Sequence, residues 1–532
     1  MALPLAAAAG VASGRAPAAP PRDFAPPAVE LALADSMDTE RLKRTVRELV
    51  ATGPRMGGTP SGDRAAALIA AAFAASGLGP EVVEDPVELA HWEDEWNVEL
   101  VRRGAVSSAH PNDLSPSVGP IASAYPYGFS PSVGPATAPL VAVGDLESLS
   151  PSSRHDWGGK VLYATAGVLK SYRLIATAPA AERPLAILTS SPNDGRRYLD
   201  AARLQELPPS FRTVPRAIAR TRPMKPPAAP RPIPVFGVSF QDGRKLAAAA
   251  AGSASAGAAA ATAGKPAAAP PLIRISLRST VRAGRPRTVL ASLPGRDPDS
   301  YYLICAHGDS DSGGPGADDN ASGEAVVLEL ARVLAALVRD GRLPPPRATL
   351  RFAVWGKEYS SSRAFVAREG DHLRRCRGVV NLDEVGTGAE REAIYFESNE
   401  VPWNRELLRT FDRVGDDYLG RPGFWPEYTT NPSQGGTDSY AFLPRRYRGE
   451  LASALQVPAT TVYTAAWEKL GHLRQTPGWE SRGTPDPIEL QIDYSRYYHS
   501  SGDTPANTTE RKPQAMTRAA RAIGIALLRL AF

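Results

Sequence analysis

The chain has 532 residues, 43% of them apolar and 22% charged, which suits a soluble globular protein of two or three domains at roughly 100 to 200 residues each. Its 61 basic and 56 acidic residues leave a formal charge of +5, a small excess that does not imply nucleic acid, and the densest basic stretch, Arg216 to Arg231, is threaded with prolines and lacks aromatic stacking platforms. Two cysteines, Cys305 and Cys376, exclude a cysteine-rich metal site and leave open one disulfide or two buried thiols, while no run of ~18 apolar residues predicts a membrane span.

Met1 to Pro27, rich in Ala, Pro and Gly, reads as a flexible tail (1–27), and its apolar run Ala2 to Val11 has no basic residue ahead of it, unlike an intact signal peptide. The segment 28–110 is expected to supply helices and first strands that pack on the last domain. A helix from Asp38 to Thr52, capped by Asp38 or Thr39, carries Leu42, Val46 and Leu49 on one side. Gly53 to Gly58 must turn, and a second helix runs from Ser61 to Ser76 before Gly77 or Gly79 ends it. Val82–Val83 and Asn97–Val101 read as strands. Within 111–138 the motif Ser115 to Pro120 recurs as Ser130 to Pro135, and these turn formers predict a linker or lid.

Short strands follow at Pro139–Val143, Lys160–Tyr163, Leu185–Thr189 and Ile233–Val238, with a helix over Asp242–Ala251, so 139–271 is expected to be a smaller inserted strand-rich domain. From 272 to 532 periodic structure is denser. Ile273–Leu277, Thr288–Leu293, Leu350–Trp355, Val379–Leu382 and Ala393–Phe396 predict strands, and Tyr301–Ala306 is an apolar run of the kind buried in a central sheet. Ser322 to Leu337 is a helix lined by Val326, Val327, Leu330, Val333, Leu334 and Leu337, and Asn404–Val414 and Thr517–Leu530 are two more. This alternation predicts an α/β sandwich with a mixed sheet.

Four clusters carry the chemistry. His307 follows the buried run where it leaves the sheet, in Ala306-His307-Gly308-Asp309-Ser310. Gly316-Ala317-Asp318-Asp319-Asn320-Ala321-Ser322-Gly323 opens the long helix, which would set its carboxylates beside unpaired backbone N–H groups. Asn381-Leu382-Asp383-Glu384 ends another apolar run, and Tyr498-His499-Ser500-Ser501-Gly502-Asp503 precedes the final helix. Imidazole and carboxylate are the usual zinc ligands where water must be activated, and a centre made of such dispersed pieces has to be assembled by the fold.

Together these segments resemble the signature of the M28 family of zinc exopeptidases, over roughly Leu272 to Phe532, and the middle region is more faintly similar to a protease-associated domain, with Ile233-Pro234-Val235-Phe236 its best feature. The resemblance implies a three-layer α/β/α zinc-exopeptidase-like fold. It implies that His307 and Asp383 bind one zinc, that Asp319 bridges two, that His499 binds the second, and that Asp309 orients the ring of His307. The family's two glutamates, a general base and a metal ligand, correspond to the segment Val354 to Phe365, where this chain has one glutamate, Glu358. Counting from Gly356, Glu358 matches the base and Tyr359 stands where the ligand belongs; were Glu358 the ligand instead, the base would come from elsewhere. A neutral phenol is a poor zinc ligand, so one firm site and one altered site are expected.

The implied reaction is aminopeptidase release of N-terminal residues from a peptide. Tyr359, Tyr440 and Tyr463 are candidate oxyanion donors, and Glu384, Glu427 and Asp438 are candidate partners for the free amine. Glutaminyl-cyclase-like acyl transfer at a single zinc, or a non-catalytic metal-binding member, are the alternatives. The resemblance also implies a secreted or periplasmic protein, with a cytoplasmic one as the alternative.

Overall fold

The computed structural model describes residues 24–101, 119–145, 157–166, 175–190, 232–262, 269–310, 314–387, 394–397, 401–431, 437–442, 450–464, 480–482 and 502–532. The tail up to residue 23, the Arg216 to Arg231 stretch and His499 lie outside them.

Three helices come first: α1 (Ala28–Asp35), α2 (Thr39–Ala51) and α3 (Pro60–Ala75). Asp38 caps α2, its carboxylate accepting from the N–H groups of Glu40 at 2.9 Å and Arg41 at 3.1 Å, and Leu42, Val46 and Leu49 are buried. Then come β1 (Glu81–Glu84), β2 (Glu88–Val101), β3 (Gly119–Pro120), β4 (Tyr125–Pro126), β5 (Val133–Asp145), β6 (Val161–Ala166), β7 (Ala186–Thr189), β8 (Val235–Gly237) and α4 (Phe240–Thr262). The second half contributes β9 (Leu272–Gly284), β10 (Arg287–Leu293), β11 (Asp297–His307), α5 (Gly323–Arg339), β12 (Ala348–Trp355), α6 (Ser360–Glu369), β13 (Cys376–Leu382), β14 (Ile394–Glu397), α7 (Arg405–Tyr418), β15 (Tyr428–Asn431), α8 (Glu450–Ala454), β16 (Ala459–Tyr463), β17 (Glu480–Arg482) and α9 (Gln514–Ala531).

Among the described residues a nine-stranded mixed sheet runs β1-β10-β12-β11-β13-β16-β14-β15-β17. Its centre is parallel, with β11 between β12 and β13 and with β16 beside β13. Because successive side chains of a strand point to opposite faces, Ile304 and Ala306 join a core with Val326 and Leu330 of α5 and Ile523 of α9. Leu303 and Cys305 join another with Phe365 of α6 and Phe442. Helices on both faces make three layers, and they put the carboxyl ends of β11, β12, β13 and β16 along one edge, where open α/β sheets bind their ligands.

A second, eight-stranded sheet runs β3-β2-β9-β5-β6-β7-β8-β4, with Leu246 and Ala249 of α4 packed on Val161, Leu188 and Phe236. Its antiparallel β2–β9 ribbon keeps register from Glu88 opposite Gly284 to Val101 opposite Leu272. Expected only from Asn97 onward, β2 begins nine residues earlier, at Glu88; charges on both faces hide the alternation there. The proline-rich stretch expected as a linker or lid yields, in its described part, β3, β4 and the start of β5, since a register shift between Val133 and Ala136 absorbs Gly134-Pro135 before Ala136 to Pro139 pair with β9 and Leu140 to Asp145 with β6. Helix α4 runs past Gly252 and Gly257 to Thr262 because each glycine costs only about 1 kcal/mol in an alanine-rich helix.

Helix α1 was not expected, since it is short and has no side-chain cap. Tertiary contacts form it: Glu30 accepts from Tyr418 Oη at 2.7 Å and Arg529 Nε at 2.8 Å, and Leu33 sits where a Cβ on Gly524 of α9 would be 2.7 Å from its Cδ2. Cys305 and Cys376 are both buried free thiols. No helix among the described residues is long and apolar enough to cross a membrane.

Candidate metal centre

His307, the last residue of β11, is 1% exposed. Its Nδ1 lies 2.9 Å from the Asp309 carbonyl oxygen and 3.2 Å from Asp309 Oδ1, two acceptors that hold a proton on that nitrogen and turn Nε2 to the other side. There Nε2 faces Asp319 Oδ1 at 3.2 Å and Asp383 Oδ1 at 3.4 Å. Nε2 and Asp383 Oδ1 are buried with no hydrogen-bond partner among the described residues. Burial works against a charged imidazole, but the Asp383 charge and the neighbouring Asp309 and Asp319 carboxylates outweigh it and hold the His307 pKa well above its usual range, so without an ion the ring itself carries the positive charge this pocket favours. A buried imidazole nitrogen ringed by carboxylates is a setting for a cation. Glu358 completes it, one ligand atom each from His307, Glu358 and Asp383 lying within 4.8 Å of one another.

Asp309 braces two of these groups, because its Oδ1 also accepts the Glu358 backbone N–H at 2.9 Å. Asp319 sits in an irregular turn, Ala317–Ser322, whose Asp319–Asn320 peptide is cis. The two carboxylates do not cap α5 as the sequence suggests. Asp318 Oδ1 accepts from the Gly386 N–H at 2.8 Å and its other oxygen from the Thr387 hydroxyl, while the Gly323 N–H is taken by Asn320 Oδ1 at 3.1 Å. Asp503 receives the N–H groups of Asp318 at 2.8 Å and Asp319 at 3.0 Å, and burial pushes its carboxyl up to about 6. Asn320 also accepts from the Glu384 N–H at 3.2 Å and donates to the Leu382 carbonyl at 2.9 Å, so it ties the turn of Asp319 to the strand end that carries Asp383. Sequence reasoning gave Asn320 no role. Its signal, a lone amide between two ligand segments, is too general to single out.

Tyr359 has a left-handed backbone, φ +58°, with its N–H donated to Asp438 Oδ1 at 2.8 Å. Its ring packs 5.9 Å from Tyr440 and 5.7 Å from the Arg363 guanidinium. Burial pushes Asp438 up to about 6. Tyr463 ends β16 beside Val462, whose carbonyl accepts the Asp383 N–H at 3.2 Å. Glu384, Glu427 and Asp438 are all buried, so none is an ordinary surface carboxylate. His499 falls outside the described residues.

Residues 288–524 match the sequence profile of Peptidase family M28. The chain is 25% identical over 304 residues to leucine aminopeptidase 2 of Trichophyton equinum, covering 54% of this chain and 51% of that protein. It thus spans about half the length of the curated relatives it matches. Among solved structures it is similar to the Peptidase M28 precursor of Shewanella amazonensis SB2B, with TM-score 0.58 and 16% identity over 93% of this chain and 94% of that one. It is also similar to BSAP, a zinc aminopeptidase from Bacillus subtilis, with TM-score 0.56 and 18% identity over 93% and 96%. At those identities the likeness is one of fold.

Proposed function

Residues 288–524 being a Peptidase family M28 domain, we propose that the protein is a zinc-dependent aminopeptidase that releases N-terminal residues from peptides. The observation that carries this reading is the meeting, at the carboxyl edge of a parallel sheet, of the His307 Nε2 with carboxylates from three separate segments. A buried imidazole nitrogen and carboxylate oxygen without hydrogen-bond partners fit a metal, and names of relatives that include a zinc aminopeptidase support zinc. His307, Asp319 and Asp383 would hold one ion. With Tyr359 in place of a second glutamate, a second ion shared by Asp319 and His499 is expected to bind weakly.

Zinc supplies Lewis acidity, polarising the scissile carbonyl and making a water acidic enough to attack at neutral pH. The Glu358 carboxylate takes the proton from that water and returns it to the departing amine nitrogen. Asp309 fixes the tautomer of His307 and the backbone of Glu358 together, so imidazole and base keep one spacing. Tyr359, Tyr440 and Tyr463 are the hydroxyl donors near the developing oxyanion, and a buried carboxylate from Glu384, Glu427 or Asp438 would receive the substrate's ammonium group. The family resemblance, which includes secreted bacterial aminopeptidases, supports export.

The test is hydrolysis of leucine p-nitroanilide by wild type and Glu358→Gln. The variant is expected to lose ~10²- to 10⁴-fold in kcat while retaining its zinc. Equal rates would remove Glu358 from proton transfer, and ring closure of N-terminal glutamine without hydrolysis would replace peptidase by acyl transferase.

A further inference from the structure

Arg55 lies far outside residues 288–524, yet its side chain is fully buried against the loop that joins His307 to Asp319. Its Nε reaches the Gly308 carbonyl at 3.2 Å and Glu324 Oε1 at 3.2 Å, its Nη1 the Pro315 carbonyl at 3.0 Å, and its Nη2 the Gly316 carbonyl at 2.7 Å. Its backbone exchanges two further bonds with Ser310, each 3.0 Å. One guanidinium therefore grips both ends of the loop, the residue after His307 and the residues just before Asp318 and Asp319. Only a planar fork with several donors can hold three carbonyls at once, and its buried charge is answered by Glu324 at the start of α5.

The next residues are wedged in the same frame. A Cβ on Gly57 would lie 2.6 Å from the Gly356 carbonyl, at the turn leading to Glu358, and Gly58, at φ +76°, sits against Gly284 at the foot of the β2–β9 ribbon.

We propose that Arg55 is a positioning residue for the metal centre, setting the separation of His307 and Asp319 from a segment that precedes the inserted sheet. This rests on the metal reading of the site. The test uses the full-length protein loaded with zinc or cobalt(II), as wild type and as Arg55→Lys, which keeps a cation beside Glu324 but loses the fork. Expected are a ~10- to 100-fold weaker metal affinity in competition with a chelator, an altered visible spectrum of the cobalt form, and at saturating zinc a lower kcat with little change in KM. A merely structural role would lower the unfolding temperature and leave the cobalt spectrum as it was. If Arg55→Lys does not fold, Arg55→Met/Glu324→Gln, which removes both charges together, carries the same measurements. Wild-type affinity and spectrum in a folded variant would overturn the assignment, as would failure of both variants to unfold cooperatively, which would give Arg55 to the fold. A wild type that binds no metal would instead sink the functional reading itself.

Discussion

Tyr359 stands, on the proposed correspondence with the family, where a second glutamate is expected, and its backbone, at φ +58°, occupies a region that costs any residue with a Cβ about 1 kcal/mol or more. That cost belongs to the main chain, so Tyr359→Glu adds none and exchanges a phenol for a carboxylate beside Glu358. Zinc content after dialysis is expected to rise from one toward two ions per chain, measured by elemental analysis; an unchanged content would mean that position 359 does not face the ions. At this scale the sequence was informative where a residue's own chemistry does the work. His307, Asp319 and Asp383 could be picked out because each is a possible ligand next to a strand end or helix start, Glu358 was added by the family resemblance, and the structure does bring them together. Asn320 and Arg55 could not be, because they act by binding backbone groups of distant segments, and no spacing of side chains announces which carbonyl will be near.

Helices with a strong apolar stripe and a capping residue are legible because both signals are local. Helix α2 has both, and its cap gives a measurable stake: Asp38→Ala removes an acceptor for two N–H groups and is expected to cost ~1 kcal/mol, read from the denaturant midpoint at constant m-value. A loss near zero would mean that water replaces the carboxylate. Helix α1 and the first half of β2 were missed for the opposite reason. The first is held by Glu30 and Leu33 against α7 and α9, hundreds of residues away, and the second is a ribbon whose charged faces show no alternation. Strand β11 was readable as a continuous apolar run, and β12 and β13 as largely apolar strands, because they are covered on both faces.

Across the molecule, the acidic residues around His307 repel one another unless a cation lies among them, so metal binding is also folding energy. Treatment with a chelator is expected to lower the unfolding temperature and added zinc to restore it, by about 2.7 kcal/mol when free zinc is 100-fold above its Kd. An unfolding temperature indifferent to both would count against a resident ion. The mixed α/β order followed from alternating elements and its three layers from the family resemblance, whereas the joining of the two sheets through β2 and β9 depends on a pairing that spans nearly two hundred residues and leaves no local mark. The two thiols sealed between the layers have a practical consequence. Burial pushes Cys376 up to about 12 and holds Cys305 well above the usual thiol range, so neither is a nucleophile while the sheet is closed. Iodoacetamide should therefore label the chain only as fast as β11 and β13 come apart, making carbamidomethylation at these two positions a built-in clock for the opening of the central strands.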